Sequence, residues 1–246
     1  MDKSLTARLQ RFTAARFSPG EAFGLHLTLG VLALLLAMAG FARIAGAVVD
    51  GSPITEVDLR LAAWLHTHAH ASDGLRTFLL GVTHLHSTPG VMALTAVAAY
   101  WLYRRGARDW MLTLLVTVPG GMLLNVAMKH TFERARPHFD EPILTLTTYS
   151  FPSGHSVAAT LLYGLLACYF TRHARSWGAR AAIITAACAM IALVAGSRLY
   201  LGAHYLSDVL AGMAEGCAWL AICVTGTATF RRRRAWREGR NQLHDT

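Results

Sequence analysis

The sequence predicts an all-α fold: a polytopic membrane helix bundle with six transmembrane helices and short interfacial helices. Three observations carry this expectation. Hydrophobic residues make up 54% of the 246 and charged residues only 15%. The apolar residues come in long uncharged blocks, which a water-soluble domain of this size has too little interior to hide. The 23 Lys and Arg residues leave a net charge of +9, yet they cluster in short runs beside the apolar blocks instead of lining one helix face. Such runs mark membrane topology and argue against nucleic-acid binding.

A helix crosses the hydrocarbon core with about 20 apolar residues. Stretches free of Asp, Glu, Lys and Arg run from Phe23 to Phe41, Ser87 to Tyr103, Trp110 to Met128, Ser156 to Phe170 and Ala181 to Ala195. A sixth, Val209 to Phe230, carries only Glu215. These define a six-span domain over residues 23–230, preceded by an amphipathic N-terminus at 1–22 and followed by a basic tail at 231–246. The first block has a competing reading as a cleaved signal peptide, because a basic leader precedes it and Ala45-Gly46-Ala47 has the small residues of a cleavage site. Its length favours a span.

Between the first two spans, residues 45–86 are expected to form short amphipathic helices at the outer interface, over Glu56 to His68 and Gly74 to Leu85. His66, His68, His70, His84 and His86 fall here. No carboxylate pattern accompanies them, so they read as surface or interfacial residues and no metal site is expected. Cys168, Cys188, Cys217 and Cys223 lie inside apolar blocks without C-x-x-C spacing and read as packing residues.

Orientation follows from the basic residues. One side of the six spans collects Lys3, Arg8, Arg11, Arg16, Arg104, Arg105, Arg108, Arg172, Arg175, Arg180 and the run from Arg231 to Arg240. That side is expected to be the cytoplasm, with both termini in it.

Three polar clusters then fall together on the opposite face. The first is Lys129 followed by Arg136-Pro137; it supplies a point charge and a guanidinium fork for phosphate oxygens, and Pro137 is expected to stop the helix. The second is Pro152-Ser153-Gly154-His155. Ser153 is a natural N-cap, Gly154 permits close approach, and a helix start offers unpaired N–H groups to an anion. His155 then stands in the first turn as a candidate general acid. The third cluster is Ser197-Arg198, His204 and Asp208. His204 and Asp208 are spaced i, i+4, so the carboxylate can hold one ring nitrogen and leave the other as nucleophile. Arg198 adds a third cation. Asn125, one turn before Lys129, and Glu215, between Gly212 and Gly216, read as supporting or buried structural partners.

These clusters resemble the signature of the type 2 phosphatidic acid phosphatases, K-x6-RP, then PSGH, then SR-x5-H-x3-D, at every fixed position. The resemblance implies a lipid phosphatase working without metal or cofactor. It implies that His204 attacks phosphorus and becomes a phosphohistidine, that Asp208 orients it, and that His155 protonates the leaving oxygen. Lys129, Arg136, Ser153, Gly154 and Arg198 would hold the phosphoryl oxygens, with Ser197 and Asn125 in support. Undecaprenyl diphosphate is the favoured substrate, with phosphatidylglycerophosphate, phosphatidic acid and lipid A phosphate as alternatives. The implied setting is the cell inner membrane, with the site facing the periplasm or exterior. Vanadate-dependent haloperoxidases share such an anion pocket but are soluble, so the apolar spans disfavour an oxidoreductase. A transporter or binder that kept the pocket without turnover is the third class.

Overall fold

The computed structural model describes residues 24–69 and 72–242, and among these it forms eight α-helices and no strand. They are α1 (Leu25–Val49), α2 (Ile54–Ala69), α3 (Asp73–Leu85), α4 (Thr88–Arg104), α5 (Arg108–Phe132), α6 (Gly154–His173), α7 (Trp177–Tyr200) and α8 (Leu206–Gln242). The N-terminal segment 1–22 and His70 lie outside the described residues.

Four of these helices are long and apolar enough to cross a bilayer: α1, α5, α7 and the Leu206–Arg234 part of α8. Their outer faces expose Leu32, Leu35 and Leu36 on α1, Leu112 and Val116 on α5, and Ile184 on α7. Large apolar side chains in that position suit lipid, not water. The fourth expected span, α6, is 20 residues long and lies at the centre of the bundle. Val157, Ala158, Leu161, Leu162 and Leu165 are buried along it. Its surroundings are other helices, so it can carry Ser156 and Thr160 where a lipid-facing helix would carry Leu. The remaining expected span corresponds to the 17-residue α4.

Small residues set the closest helix contacts. A Cβ on Gly212 of α8 would lie 2.6 Å from the Ser153 carbonyl oxygen, and one on Gly216 would lie 2.8 Å from Thr160 Cβ. This pair lets the start of α8 approach the start of α6, as the G-x-x-x-G spacing suggests. The contact ties the second and third sequence clusters together. The Ser153 backbone N–H also donates to the Asp208 carbonyl oxygen at 2.9 Å.

Several expectations change in detail. Pro137 does not end the third apolar helix: α5 stops at Phe132, where Glu133 turns left-handed with φ of 46°. The 231–246 tail is helical through Gln242, because α8 runs on without a break past Arg231. Cys188 and Cys217 are exposed on lipid-facing helices and Cys168 and Cys223 are half-buried, all as free thiols. The 45–86 segment forms α2 and α3 as expected, but α1 extends to Val49, so Ala45 to Ala47 lie inside a helix. Ala45 is buried in a cluster with Phe151 and Ala211.

Candidate active site

The loop between α5 and α6, the start of α6, the end of α7 and the turn before α8 converge on one cavity of about 560 Å³. Lys129, Arg136, Gly154, His155, Arg198 and His204 all line it, with Asn125 beside them. Three cations and, with His86, three imidazoles that are far apart in sequence therefore share one chamber. Ser153 and Ser197 stand behind its wall. Ser153 receives a hydrogen bond from Ser156 Oγ at 3.1 Å, and Ser197 Oγ donates to the Val194 carbonyl at 2.7 Å. Ser153 does hold the N-cap position of α6, but its side chain makes no cap bond.

His204 occupies the turn between α7 and α8 and is only 3% exposed. Arg136 Nη1 lies 3.3 Å from His204 Nε2. A guanidinium only donates, so Nε2 must present its lone pair there. The ring proton then belongs on Nδ1, which faces Asp208 Oδ2 at 3.5 Å. This separation is long for a hydrogen bond, and Nδ1 has no closer protein acceptor among the described residues. Burial, reinforced by Arg198 and Arg136, pushes the His204 pKa down to about 3 although Asp208 pulls the other way. The imidazole is thus neutral at neutral pH, with a bare Nε2.

Asp208 is fully buried and its oxygens are satisfied mainly by other groups. Ser150 Oγ donates to Oδ2 at 2.8 Å, the Tyr205 backbone N–H to Oδ2 at 2.9 Å, and Arg134 Nη1 to Oδ1 at 2.5 Å. Arg134 continues outward: its Nη2 donates to Asp58 Oδ2 at 2.9 Å, and its guanidinium covers the Tyr205 ring at 4.5 Å. Asp58, on the interfacial helix α2, is 1% exposed. It also accepts a bond from the Ser207 backbone N–H at 2.9 Å and a short one from Ser207 Oγ. A carboxylate–guanidinium–carboxylate chain therefore runs from α2 to the back of the His204 ring.

The cations are held by loop carbonyls. Arg136 donates to the Thr148, Tyr149 and Ala203 carbonyl oxygens at 2.6, 3.1 and 2.6 Å. Lys129 Nζ donates to the Tyr149 carbonyl at 2.6 Å. Arg198 Nη1 donates to Thr83 Oγ1 on α3, while its buried Nε has no partner among the described residues. His155 Nε2 lies 3.2 Å from the Thr83 carbonyl oxygen, which only accepts, so that nitrogen carries a proton. The outer helices hence position the site as well as cover it.

Sequence reasoning missed Arg134, Asp58 and Thr83. Arg134 was hidden among basic residues near a span end. Asp58 carried a readable signal, since it shares the buried face of α2 with Ala62 and Ala69, where an amphipathic helix should be apolar. His86, expected at the surface, is 2% exposed and bonds Tyr163 Oη at 2.6 Å beside the cavity. The other interfacial histidines behave differently: His66 stacks on Phe139, while His68 and His84 bond carbonyls of their own helices. Among the described residues no three His, Cys, Asp or Glu side chains converge as metal ligands would. Glu215 is buried and accepts from Asn125 Nδ2 at 2.9 Å, as a structural partner would.

A phosphatidylglycerophosphatase B from Bacillus subtilis is 33% identical over 175 residues, covering 64% of this chain and 85% of that protein. A lipid A 1-phosphatase from Rhizobium etli is 36% identical over 125 residues, covering 46% of this chain and 49% of that protein. The crystal structure of a transmembrane PAP2-type phosphatidylglycerolphosphate phosphatase from Bacillus subtilis superposes with a TM-score of 0.69 at 26% identity, covering 78% of this chain and 94% of that one. The sequence pattern of the PAP2 superfamily matches residues 110–232, a segment that contains Lys129, Arg136, Arg198, His155 and His204. The chain belongs to the PAP2 superfamily.

Proposed function

We propose that the protein is an integral membrane phosphatase that removes phosphate from a lipid. The observation that carries this reading is the cavity itself. Its polar end gathers Lys129, Arg136, Arg198, His155 and His204, while its other end is lined by Met92, Leu123 and Val126. These three are 41%, 71% and 53% exposed, so the chamber opens toward lipid between α4 and α5. A phosphorylated headgroup and its hydrocarbon tail find matching surfaces there.

In the proposed mechanism the bare Nε2 of His204 attacks phosphorus in line, the bond to the leaving oxygen breaks, and a phosphohistidine forms. Asp208 balances the charge appearing on the ring. His155, its imidazolium stabilised by the phosphoryl charge, gives a proton to the leaving oxygen and then takes one from the water that releases phosphate. Lys129, Arg136, Arg198 and the Gly154 amide hold the equatorial oxygens, where stabilisation of the transition state is largest. Ser153 and Ser197 support the wall behind them. No metal ion or cofactor is required by this scheme.

The spans are proposed as α1, α4, α5, α6, α7 and α8. Both termini would lie in the cytoplasm and the catalytic cavity would face the periplasm or exterior. For the substrate, a relative matched over 85% of its length is named for phosphatidylglycerophosphate. That moves this lipid ahead of undecaprenyl diphosphate, which stays the second reading, since the cavity grips a phosphoryl group without discriminating tails. The test is phosphate release by the purified protein from phosphatidylglycerophosphate, undecaprenyl diphosphate, phosphatidic acid and lipid A, each with EDTA present. Turnover of at least one lipid with EDTA is expected. Loss of all activity on EDTA addition would defeat the metal-free scheme, and a haloperoxidase-like oxidoreductase would release no phosphate.

A further inference from the structure

Asn125 is only 3% exposed, yet it lines the catalytic cavity. Its Nδ2 carries two hydrogens and both are taken: one by Glu215 Oε2 at 2.9 Å, the other by the Pro152 carbonyl oxygen at 3.4 Å. A carboxylate and a carbonyl oxygen only accept, so the carboxamide cannot turn over without setting oxygen against oxygen. Oδ1 is thereby fixed on the other side. It receives no hydrogen bond among the described residues, and it is not sealed inside the protein. It lies over Gly154, where an added Cβ would stand 2.9 Å from it.

A lone acceptor therefore opens onto a chamber whose cations, Lys129, Arg136 and Arg198, only donate. An acceptor has the wrong polarity for a charged phosphoryl oxygen. It suits a group that brings its own hydrogen. Glu215, behind it, is 5% exposed between Gly212 and Gly216, and its Oε1 has no partner among the described residues. A buried carboxylate with one unpaired oxygen weakens a helix contact, so packing does not account for this residue. Locking the Asn125 amide does.

We propose that Asn125 is a catalytic residue of the second half of the reaction: its Oδ1 accepts a hydrogen bond from the water that hydrolyses the phosphohistidine. Glu215 is its positioning residue. This role rests on the phosphohistidine mechanism proposed above. Gly154, under Oδ1, is followed directly by His155, on whose side the leaving oxygen departs and the water enters. The water oxygen bonds to phosphorus, the bond from phosphorus to His204 Nε2 breaks, and its electron pair returns to the ring. One water proton passes to His155; the other, held by Asn125, leaves on the phosphate.

Rapid quench with a ³²P-labelled lipid phosphate separates the two halves of the reaction. In Asn125→Ala, label should enter His204 within about threefold of the unmodified rate, while the phosphorylated form decays at least about tenfold more slowly and accumulates. Entry of label itself reports a folded site. Glu215→Met should show the same slow decay, whereas Glu215→Gln, whose amide oxygen still accepts from Asn125, should decay normally. Decay at the unmodified rate in Asn125→Ala would overturn the proposal. So would a raised KM with unchanged decay, which assigns Oδ1 to a hydroxyl of the substrate. If Asn125→Ala does not fold, the two Glu215 variants decide, and equal decay in both overturns the role. Turnover without labelled His204 in the unmodified protein would instead defeat the phosphohistidine mechanism itself, and this role with it.

Discussion

At the scale of single residues, the proposed chemistry turns on His204 being neutral while three cations surround it. Arg136 at 3.3 Å and the burial of the ring together disfavour its protonation. An ordinary histidine takes a proton near pH 6.5, whereas His204 does so near pH 3. The rate constant kcat/KM should therefore show no acid limb assignable to His204 as pH falls from 7 to about 5. A limb near 6.5 that Arg136→Gln leaves in place would contradict this electrostatic picture. The same shift has a sign for stability: between the two values the unfolded chain binds the proton and the folded one does not, so acidification through this window destabilises the protein. Asp208→Asn should lower kcat by about a hundredfold or more, because in the proposed mechanism it removes the charge that balances the phosphorylated ring. Asp58→Asn touches no cavity-lining residue and reaches the site through Arg134 and Ser207. It should lower kcat on the order of tenfold with KM little changed, and double substitution with Arg134→Gln should cost little more than either alone.

At the scale of helices, the small residues decide whether the site assembles. Gly212 and Gly216 let α8 approach α6 closely enough for Ser153 and Asp208 to share a backbone hydrogen bond. Gly212→Leu should destabilise the fold by about 1–3 kcal/mol and abolish activity, read as a lower unfolding temperature and lost phosphate release. A Cβ on Gly226 of the same helix meets nothing within 4 Å, so Gly226→Ala should leave activity unchanged and not lower the unfolding temperature. This level was largely legible in the sequence. The apolar blocks became helices, the amphipathic patterns expected over Glu56 to His68 and Gly74 to Leu85 became α2 and α3, and the i, i+4 spacing placed Asp208 behind His204. What escaped was the inward face of those interfacial helices. Asp58 and Thr83 hold Arg134 and Arg198 through contacts more than 70 residues apart in sequence. No local pattern encodes such a pairing. The end of α5 was also misplaced, because the left-handed Glu133 breaks the helix before Pro137 is reached.

At the scale of the whole molecule, the two ends of the bundle differ. One end gathers the candidate catalytic cavity under α2 and α3, and the other carries arginine–aromatic pairs such as Arg105 on Trp101 and Arg231 on Trp110. A membrane-impermeant thiol reagent applied to intact cells tests the proposed orientation. In a variant lacking native cysteines, Thr148→Cys should be labelled and Arg234→Cys should not. The reverse pattern would invert the topology. The proposed role of His204 is tested most directly by rapid quench with a ³²P-labelled lipid phosphate. The unmodified protein should carry a base-stable, acid-labile phosphoryl group that maps to His204, and His204→Ala should carry none. Turnover with no trapped phosphoprotein, or a label that persists in His204→Ala, would contradict His204 as the nucleophile.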